Sequence, residues 1–261
     1  MAPMPTLFFG HGSPWDALHE TPFSQAWIDL AARFPRPRAI VSISAHWESK
    51  GVLITRAPRQ RTIHDFYRFP QAFYDVDYPA PGDPELAFEL EARLEAYGAR
   101  ADLDSWGLDH GTWLVLRRMY PEADVPVIQL SLDIRRTPGT HYEIAGRLGY
   151  LRDQGVLVMG TGNIVHNLKI PGAFSGGSFP WADRFDREVV ARVEARDHEA
   201  LVDFPGLGED AALAVPESEH YLPLLYVLAN RRADDALEVF NQAMVGTISM
   251  TGFAFGLPDP R

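Results

Sequence analysis

The sequence predicts a layered α/β fold, in which helices cover both faces of a central sheet that is mostly parallel or mixed. Two observations predict it. Short apolar runs that end in glycine or small polar residues recur along the chain, as is typical of buried strands. Between these runs lie longer stretches with helical spacing, and strands that alternate with helices indicate layers packed on a common sheet.

The predicted elements follow in chain order. Apolar runs predict six strands at residues 6–9, 39–44, 52–55, 125–130, 156–159 and 247–253. Helical spacing predicts six helices at residues 23–34, 84–97, 112–119, 141–154, 181–195 and 216–230. The Pro- and Gly-rich segments 79–84 and 171–177 are predicted loops, because the patterning continues on either side of them. We therefore expect a single domain over residues 1–261.

Composition restricts the partners. The net charge of −11 opposes binding to a phosphate backbone, so no nucleic acid is expected. The chain has no cysteine, which excludes disulfides and thiolate ligands and leaves histidine and carboxylate for a metal. No basic N-terminal region precedes an apolar stretch, and no apolar run approaches the roughly 18 residues that span a bilayer. A cytoplasmic protein without a membrane partner is the expectation.

Several histidines stand where a ligand crevice is expected. His11, His46 and His166 each follow an apolar run, and the crevice of an open α/β sheet lies at the carboxyl ends of its strands. His220 lies near the start of the predicted helix 216–230, on the side expected to face inward. One histidine after a strand is more often a hydrogen-bonded loop residue than a ligand. Four histidines placed in this way favour a metal site.

Six segments resemble the class III extradiol ring-cleavage dioxygenases, the LigB-like family. The resemblance extends from about residue 6 to residue 255. Within this family, the bacterial and plant 4,5-DOPA dioxygenase branch is the nearest in sequence pattern. The segments are Gly-His-Gly-Ser-Pro at 10–14, Ser-Ala-His-Trp-Glu at 44–48, Ile-His-Asp-Phe-Tyr at 63–67, Asp-His-Gly-Thr-Trp at 109–113, Gly-Thr-Gly-Asn-Ile-Val-His-Asn-Leu at 160–168 and Glu-His-Tyr-Leu-Pro-Leu at 219–224. Their order across most of the chain makes chance agreement a poor explanation.

The resemblance implies a metal ion held by three histidines, which are His11, His46 and His220. His166 would lie close to the metal as an acid/base or as an additional ligand. Related ring-cleavage enzymes use a glutamate as the third ligand, so Glu217 and Glu219 stay open as alternatives to His220. On a helical wheel Glu217 lies nearer the inward face than Glu219.

The implied reaction inserts both atoms of O₂ into a catechol ring, as in a DOPA-type 4,5-cleavage that gives a muconate semialdehyde. Iron(II) is the expected catalytic ion because the reaction needs a redox-active centre, although a nitrogen-rich site can also take Zn(II). His166 suits proton transfer at neutral pH. By resemblance His110 would line the pocket, where an N–H donor could stabilise superoxide or a substrate oxygen. Asp109 beside it could simply cap the following helix.

Two other functions stay open at this stage. A metal-dependent hydrolase could use the same histidines to activate water. A non-enzymatic binding protein is the second, because the Memo family resembles these dioxygenases in fold.

Other polar residues are less informative. Arg61, Asp65, Arg68 and Asp75 lie in a loop that could bind the charged groups of an amino-acid substrate, and His64 is either a pocket residue or a hydrogen-bonded loop residue. Three further histidines have polar or helical surroundings and are predicted to lie on the surface: His19, His141 and His198. The sequence leaves the particular catechol and the oligomeric state open.

Overall fold

A computed structural model describes residues 2–174 and 177–258. Its strands are β1 (Thr6–Gly10), β2 (Ala39–Ser49), β3 (Leu53–Thr55), β4 (Arg100–Asp102), β5 (Val127–Asp133), β6 (Val156–Gly162), β7 (Leu237–Phe240), β8 (Met244–Val245), β9 (Ile248–Ser249) and β10 (Gly252–Phe255). Eight of them form one sheet in the order β4-β3-β5-β2-β6-β1-β10-β7. The strands β5, β2, β6 and β1 are parallel to one another, whereas β10 and β7 continue the sheet antiparallel.

The α-helices are α1 (Trp15–Leu18), α2 (Pro22–Ala31), α3 (Gln71–Tyr74), α4 (Pro84–Arg93), α5 (His110–Met119), α6 (Pro138–Gly146), α7 (Pro180–Ala195), α8 (His198–Val202), α9 (Glu209–Ala214) and α10 (Leu222–Ala229). Short 3-10 helices occupy Glu95–Tyr97, Gly149–Gln154 and Phe204–Leu207. Three of the longer helices begin with a proline that directly follows a capping side chain, Thr21, Asp83 or Thr137. A proline in the first turn costs no hydrogen bond, so these pairs fix where the helices start.

The side chains of the central strands divide between two hydrophobic cores. In β1, Phe8 points into the core that includes α4, α6, α7 and α10, whereas Leu7 and Phe9 point into the core that includes α2 and α5. Leu157 and Val158 divide in the same way in β6. Alternation with a period of two places successive side chains on opposite faces of a sheet, so helices cover both faces. The predicted α/β class and its mixed sheet are confirmed; the single domain over residues 1–261 stays a prediction.

Some element bounds differ from the sequence prediction. The helix predicted at 216–230 begins only at Leu222, because Pro223 fits the first turn of a helix and residues 216–221 form bends and turns before it. The strand predicted at 247–253 is divided into β9 and β10, and the short edge strands β4 and β7 were not predicted. Within the described ranges, no helix is long and apolar enough to cross a membrane.

Candidate metal centre

Parallel strands bring distant histidines to one edge of the sheet. His11 directly follows β1, and its backbone N–H donates to the carbonyl oxygen of Gly162 at the end of β6 (3.2 Å). His166 follows β6 by four residues, and its backbone N–H donates to Ala214 (2.8 Å). The carboxyl ends of β1 and β6 therefore deliver both residues to the same crevice.

An irregular part of β2 delivers His46. Ile43 pairs with Leu130 and Glu48 with Leu132, so five steps along β2 correspond to two steps along β5. The intervening residues bulge out of the ladder, which redirects the side chain of His46. The strand predicted to end at residue 44 thus continues to Ser49, and the histidine lies in its bulge.

His110 enters the cluster from the first position of α5. The side chain of Asp109 caps this helix by accepting from the backbone N–H of Thr112 (3.2 Å), so the capping role foreseen for Asp109 coexists with a buried His110. Gly111 permits the close approach of the helix to β2, since a Cβ there would lie 2.8 Å from the ring of His46. The His46 and His110 ring centroids are 4.0 Å apart.

Asn163 ties the loops of the site together. Its side-chain amide donates to the carbonyl oxygens of His11 (2.7 Å) and Ser249 (2.8 Å), and its backbone N–H donates to the carbonyl oxygen of His220 (2.8 Å). Gly162 allows this contact, because a Cβ there would lie 2.2 Å from the same carbonyl oxygen of His220. Through its side chain and its backbone, Asn163 thus holds two of the predicted ligands in fixed relative positions.

The imidazole rings lie within contact distance of one another. Nε2 of His11 and Nε2 of His46 are 2.9 Å apart. The ring of His220 lies 5.8 Å from that of His11 and 5.1 Å from that of His46, and it stacks on His166 with centroids 3.5 Å apart. Five histidines from five separate parts of the chain therefore meet, as the sequence predicted for four of them and, by resemblance, for His110.

Ligand atoms fall into two neighbouring groups. The potential ligand atoms of His11, His46 and His110 lie within 4.8 Å of one another, and so do those of His166, Glu219 and His220. The structure thus groups His110, rather than His220, with the first two predicted ligands. Nδ1 of His11 is buried and has no hydrogen-bond partner among the residues that the structure describes. A buried cluster of imidazoles with facing nitrogen atoms fits a divalent metal ion with a nitrogen and oxygen shell.

Electrostatics keep most of these rings neutral. Burial, followed by the charges of neighbouring histidines, lowers the pKa of His11 and His220 well below the ordinary value, and His110 shifts in the same direction. Burial likewise lowers the pKa of His166 to about 4. His46 is the exception: burial lowers its pKa, but the hydrogen bond and charge of Asp65 raise it overall. Neutral imidazole is the form that binds metal.

The two glutamates occupy different environments. The Glu217 carboxylate is exposed and pairs with Lys169 (2.5 Å), whereas Glu219 is mostly buried and its Oε1 lies 3.0 Å from Nδ1 of His220. The structure groups Glu219, and not Glu217, with His166 and His220, and it removes the basis for preferring Glu217. That preference assumed helical geometry at 217–219, and these residues precede α10.

The loop after β3 contains a site residue whose role the sequence did not indicate. Asp65, considered above for binding a charged substrate group, instead contacts Nδ1 of both His46 (3.0 Å) and His110 (2.9 Å). Although burial opposes ionisation, these two histidines lower the pKa of Asp65. His64 in the same loop hydrogen-bonds the carbonyl oxygen of Val76 (2.9 Å), as expected for a loop residue. Its place within the family segment at 63–67 was the only sequence signal for Asp65.

Comparisons with known proteins agree with this geometry. The sequence model of the LigB family, described as the catalytic LigB subunit of aromatic ring-opening dioxygenase, matches residues 13–250. A 4,5-DOPA dioxygenase extradiol of Escherichia coli strain K12 is 40% identical over 258 residues, which cover 97% of this chain and 95% of that protein. A protein of the same name from Beta vulgaris is 33% identical over 253 residues, with coverage of 95% and 94%. The crystal structure of an uncharacterized protein from E. coli K12 matches with a TM-score of 0.84 at 36% identity, covering 97% of this chain and all of that chain.

The chain belongs to the LigB family of aromatic ring-opening dioxygenases. The predicted relationship to the class III extradiol dioxygenases is thereby confirmed, and so is the prediction of an enzyme. Family membership favours ring opening over both the hydrolase and the non-enzymatic binding protein considered from the sequence.

Proposed function

We propose that the protein is a non-haem, iron(II)-dependent extradiol dioxygenase that inserts both atoms of O₂ into a catechol, in a DOPA-type 4,5-cleavage that yields a muconate semialdehyde. The observation that carries this proposal is the convergence of five histidines at the sheet edge, with Nε2 of His11 and Nε2 of His46 only 2.9 Å apart. The names of the E. coli and plant relatives support DOPA as the substrate class.

His11 and His46 would hold the metal, with His220 as the third ligand. The contact between Nδ1 of His220 and Glu219 leaves Nε2 of that ring available, and the family resemblance favours this residue. His110 competes for the same role, because its Nδ1 contacts Asp65 and its Nε2 is likewise available. When bound, iron(II) would supply the redox-active centre that connects a catechol with O₂, which zinc cannot do.

His166 would move the proton. Its ring stacks on His220, and within residues 2–174 and 177–258 its ring nitrogen atoms make no hydrogen bond, unlike those of His46, His110 and His220. An imidazole in this position can accept a proton from a catechol hydroxyl and return it to the opened product. A metal ligand would lack that freedom, so His166 is assigned the acid/base role.

Aromatic side chains border the pocket on the side of His110. Phe66 packs edge-on against the His110 ring with centroids 5.6 Å apart, and Phe69 and Tyr74 pack against Phe66 at 5.2 and 5.1 Å. Such a wall excludes water from one side of the site and suits an aromatic substrate. Trp113 and Trp47, by contrast, are fully or almost fully buried in the fold.

Anaerobic reconstitution with iron(II) tests the proposal. The loaded protein is mixed with a panel of catechols that includes DOPA, and O₂ uptake and ultraviolet-visible spectra are recorded together. We expect equimolar consumption of O₂ and one catechol, with a new absorption band from the ring-opened product. Absence of O₂ uptake would contradict the proposal. Ester or amide hydrolysis in that case would favour the hydrolase, and tight peptide binding the Memo-like function.

A further inference from the structure

The Asp65 carboxylate lies between two imidazoles of the site. Its Oδ2 is 3.0 Å from Nδ1 of His46, and its Oδ1 is 2.9 Å from Nδ1 of His110. The backbone N–H of His110 also donates to Oδ1 at 2.9 Å. Both oxygens are therefore used, each on a different histidine, and the side chain is only 17% exposed.

An ionised carboxylate can only accept hydrogen bonds, so each contacting Nδ1 carries the hydrogen. In the neutral form that metal binding requires, each imidazole has one N–H, so Nε2 of His46 and of His110 presents a lone pair. For His46 this lone pair faces the neighbouring Nε2 of His11 at 2.9 Å. Histidines that bind metals commonly donate their second ring N–H to a carboxylate, which fixes the tautomer and the ring orientation.

We propose that Asp65 is a positioning residue that holds His46 and His110 as a pair, with both Nε2 atoms available to the metal pocket. The inference rests on the proposed metal site and not on the ring-opening reaction. It also changes the role expected of His110. A neutral His110 whose Nδ1–H is donated to Asp65 accepts a hydrogen bond at Nε2, whereas the sequence suggested an N–H donor there.

The loop that contains Asp65 has anchoring contacts that do not involve the side chain of Asp65. The backbone N–H of Ile63 donates to Leu108 (2.7 Å), and the carbonyl oxygen of Ile63 accepts from Nε1 of Trp113 (2.9 Å). His64 is fixed to Val76 on the other side (2.9 Å). None of these contacts uses the carboxylate of Asp65, so we expect a substitution there to separate positioning from folding.

The first test measures zinc affinity by competition with a chelator, using full-length metal-free protein. In Asp65→Asn the side-chain amide keeps one acceptor oxygen, but its nitrogen cannot accept from the second imidazole. We expect affinity for Zn(II) to fall about 10- to 100-fold, the usual effect of losing such a partner. The matched control is Asp75→Asn, which alters an exposed carboxylate at the end of α3 that accepts a hydrogen bond from the side chain of Gln71. It should keep the parental affinity, and both metal-free variants should melt at the parental temperature.

Parental zinc affinity in Asp65→Asn would overturn the positioning role, as would an equal loss of affinity in Asp75→Asn. A parent protein that binds no Zn(II) would overturn the metal site as well. Failure of ring cleavage alone, with the expected zinc affinities, would contradict the proposed reaction and leave the role of Asp65 supported.

A second measurement needs no substitution. Long-range ¹H–¹⁵N spectra of the zinc-loaded parent report which nitrogen of each imidazole is protonated. We expect His46 and His110 to be protonated at Nδ1, with both protons shifted downfield by the shared carboxylate. A proton on Nε2 of either ring would overturn the proposal even if Asp65→Asn fails to fold.

Discussion

Buried histidines occur in two contrasting settings in this protein. At the sheet edge, five rings contact one another and two carboxylates, and the Nε2 atoms of His11 and His46 face each other. His141 is even more buried, at 1% exposure, but it lies in α6 and its Nδ1 contacts the hydroxyl group of Tyr226 in α10 (3.0 Å). Burial lowers the pKa of both His141 and His166 to about 4. Burial and pKa therefore do not distinguish the histidine cluster from His141, whereas the facing ring nitrogen atoms at the strand ends do.

The largest effect expected from this contrast is loss of the metal. We predict that the parent binds one metal ion per chain and that His11→Ala or His46→Ala abolishes binding, because each removes one of the two Nε2 atoms that lie 2.9 Å apart. His141→Ala should keep the full metal content. Elemental analysis of the three variants measures this difference. Unchanged metal content in both site variants would refute the site.

Proton transfer can be separated from metal binding within the cluster. We predict that His166→Ala keeps most of the metal but loses ring-cleavage rate by roughly 10² to 10⁴-fold, the usual contribution of a positioned acid/base. His220→Ala should instead lose the metal, and His110→Ala tests whether that ring is the third ligand. Metal content and turnover are measured on the same preparations. An empty site in His166→Ala, together with full iron and activity in His220→Ala, would reverse these roles.

Substitutions of the two glutamates are expected to differ in their effect on metal affinity, and this difference is smaller than the effects predicted above. Glu219→Gln should weaken metal affinity about 10- to 100-fold, because it replaces the carboxylate that contacts Nδ1 of His220. Glu217→Gln removes only an exposed ion pair with Lys169 and should leave affinity unchanged. Chelator competition measures both variants. Equal losses would show that the distinction between the buried and the exposed carboxylate is irrelevant to the metal.

The lowered pKa of His141, which lies outside the metal site, predicts that folding stability depends on pH. Its pKa of about 4 in the folded chain lies below the ordinary value of 6.5, so the unfolded chain binds more protons between these values. Stability should therefore fall as the pH drops below 6.5, with about 2 kcal/mol of that loss due to His141 between pH 7 and pH 5. In His141→Asn the decline measured by urea unfolding should be shallower by this amount. A slope equal to that of the parent would contradict the assignment.

The sequence was most informative where a local pattern decides the structure. Apolar runs located β1 and β6, and the family segments located all five histidines. The residues at 216–221 were misassigned because Pro216 was taken as the helix start, whereas Pro223 is the proline that lies in the first turn. His141 was wrongly predicted to lie on the surface, although its spacing to the buried Ile144 and Ala145 matches one face of a helix.

Long-range contacts explain what the sequence could not provide. Asp65 contacts His46 and His110, which lie 19 and 45 positions away, and no periodic pattern connects a loop residue with a strand bulge and a helix start. The bulge in β2 is defined by its pairing with β5, which is a property of the assembled sheet. Which rings lie close enough to share a metal is likewise set by tertiary packing.

The most direct test of the account is an anaerobic titration of metal-free protein with iron(II), with O₂ uptake measured at each point after addition of a catechol. If the histidine cluster forms one catalytic metal site, turnover should rise linearly with iron, stop at one equivalent per chain and be absent in the iron-free zinc form. Turnover that is independent of iron, or equal in a rigorously iron-free zinc form, would contradict an iron-dependent dioxygenase.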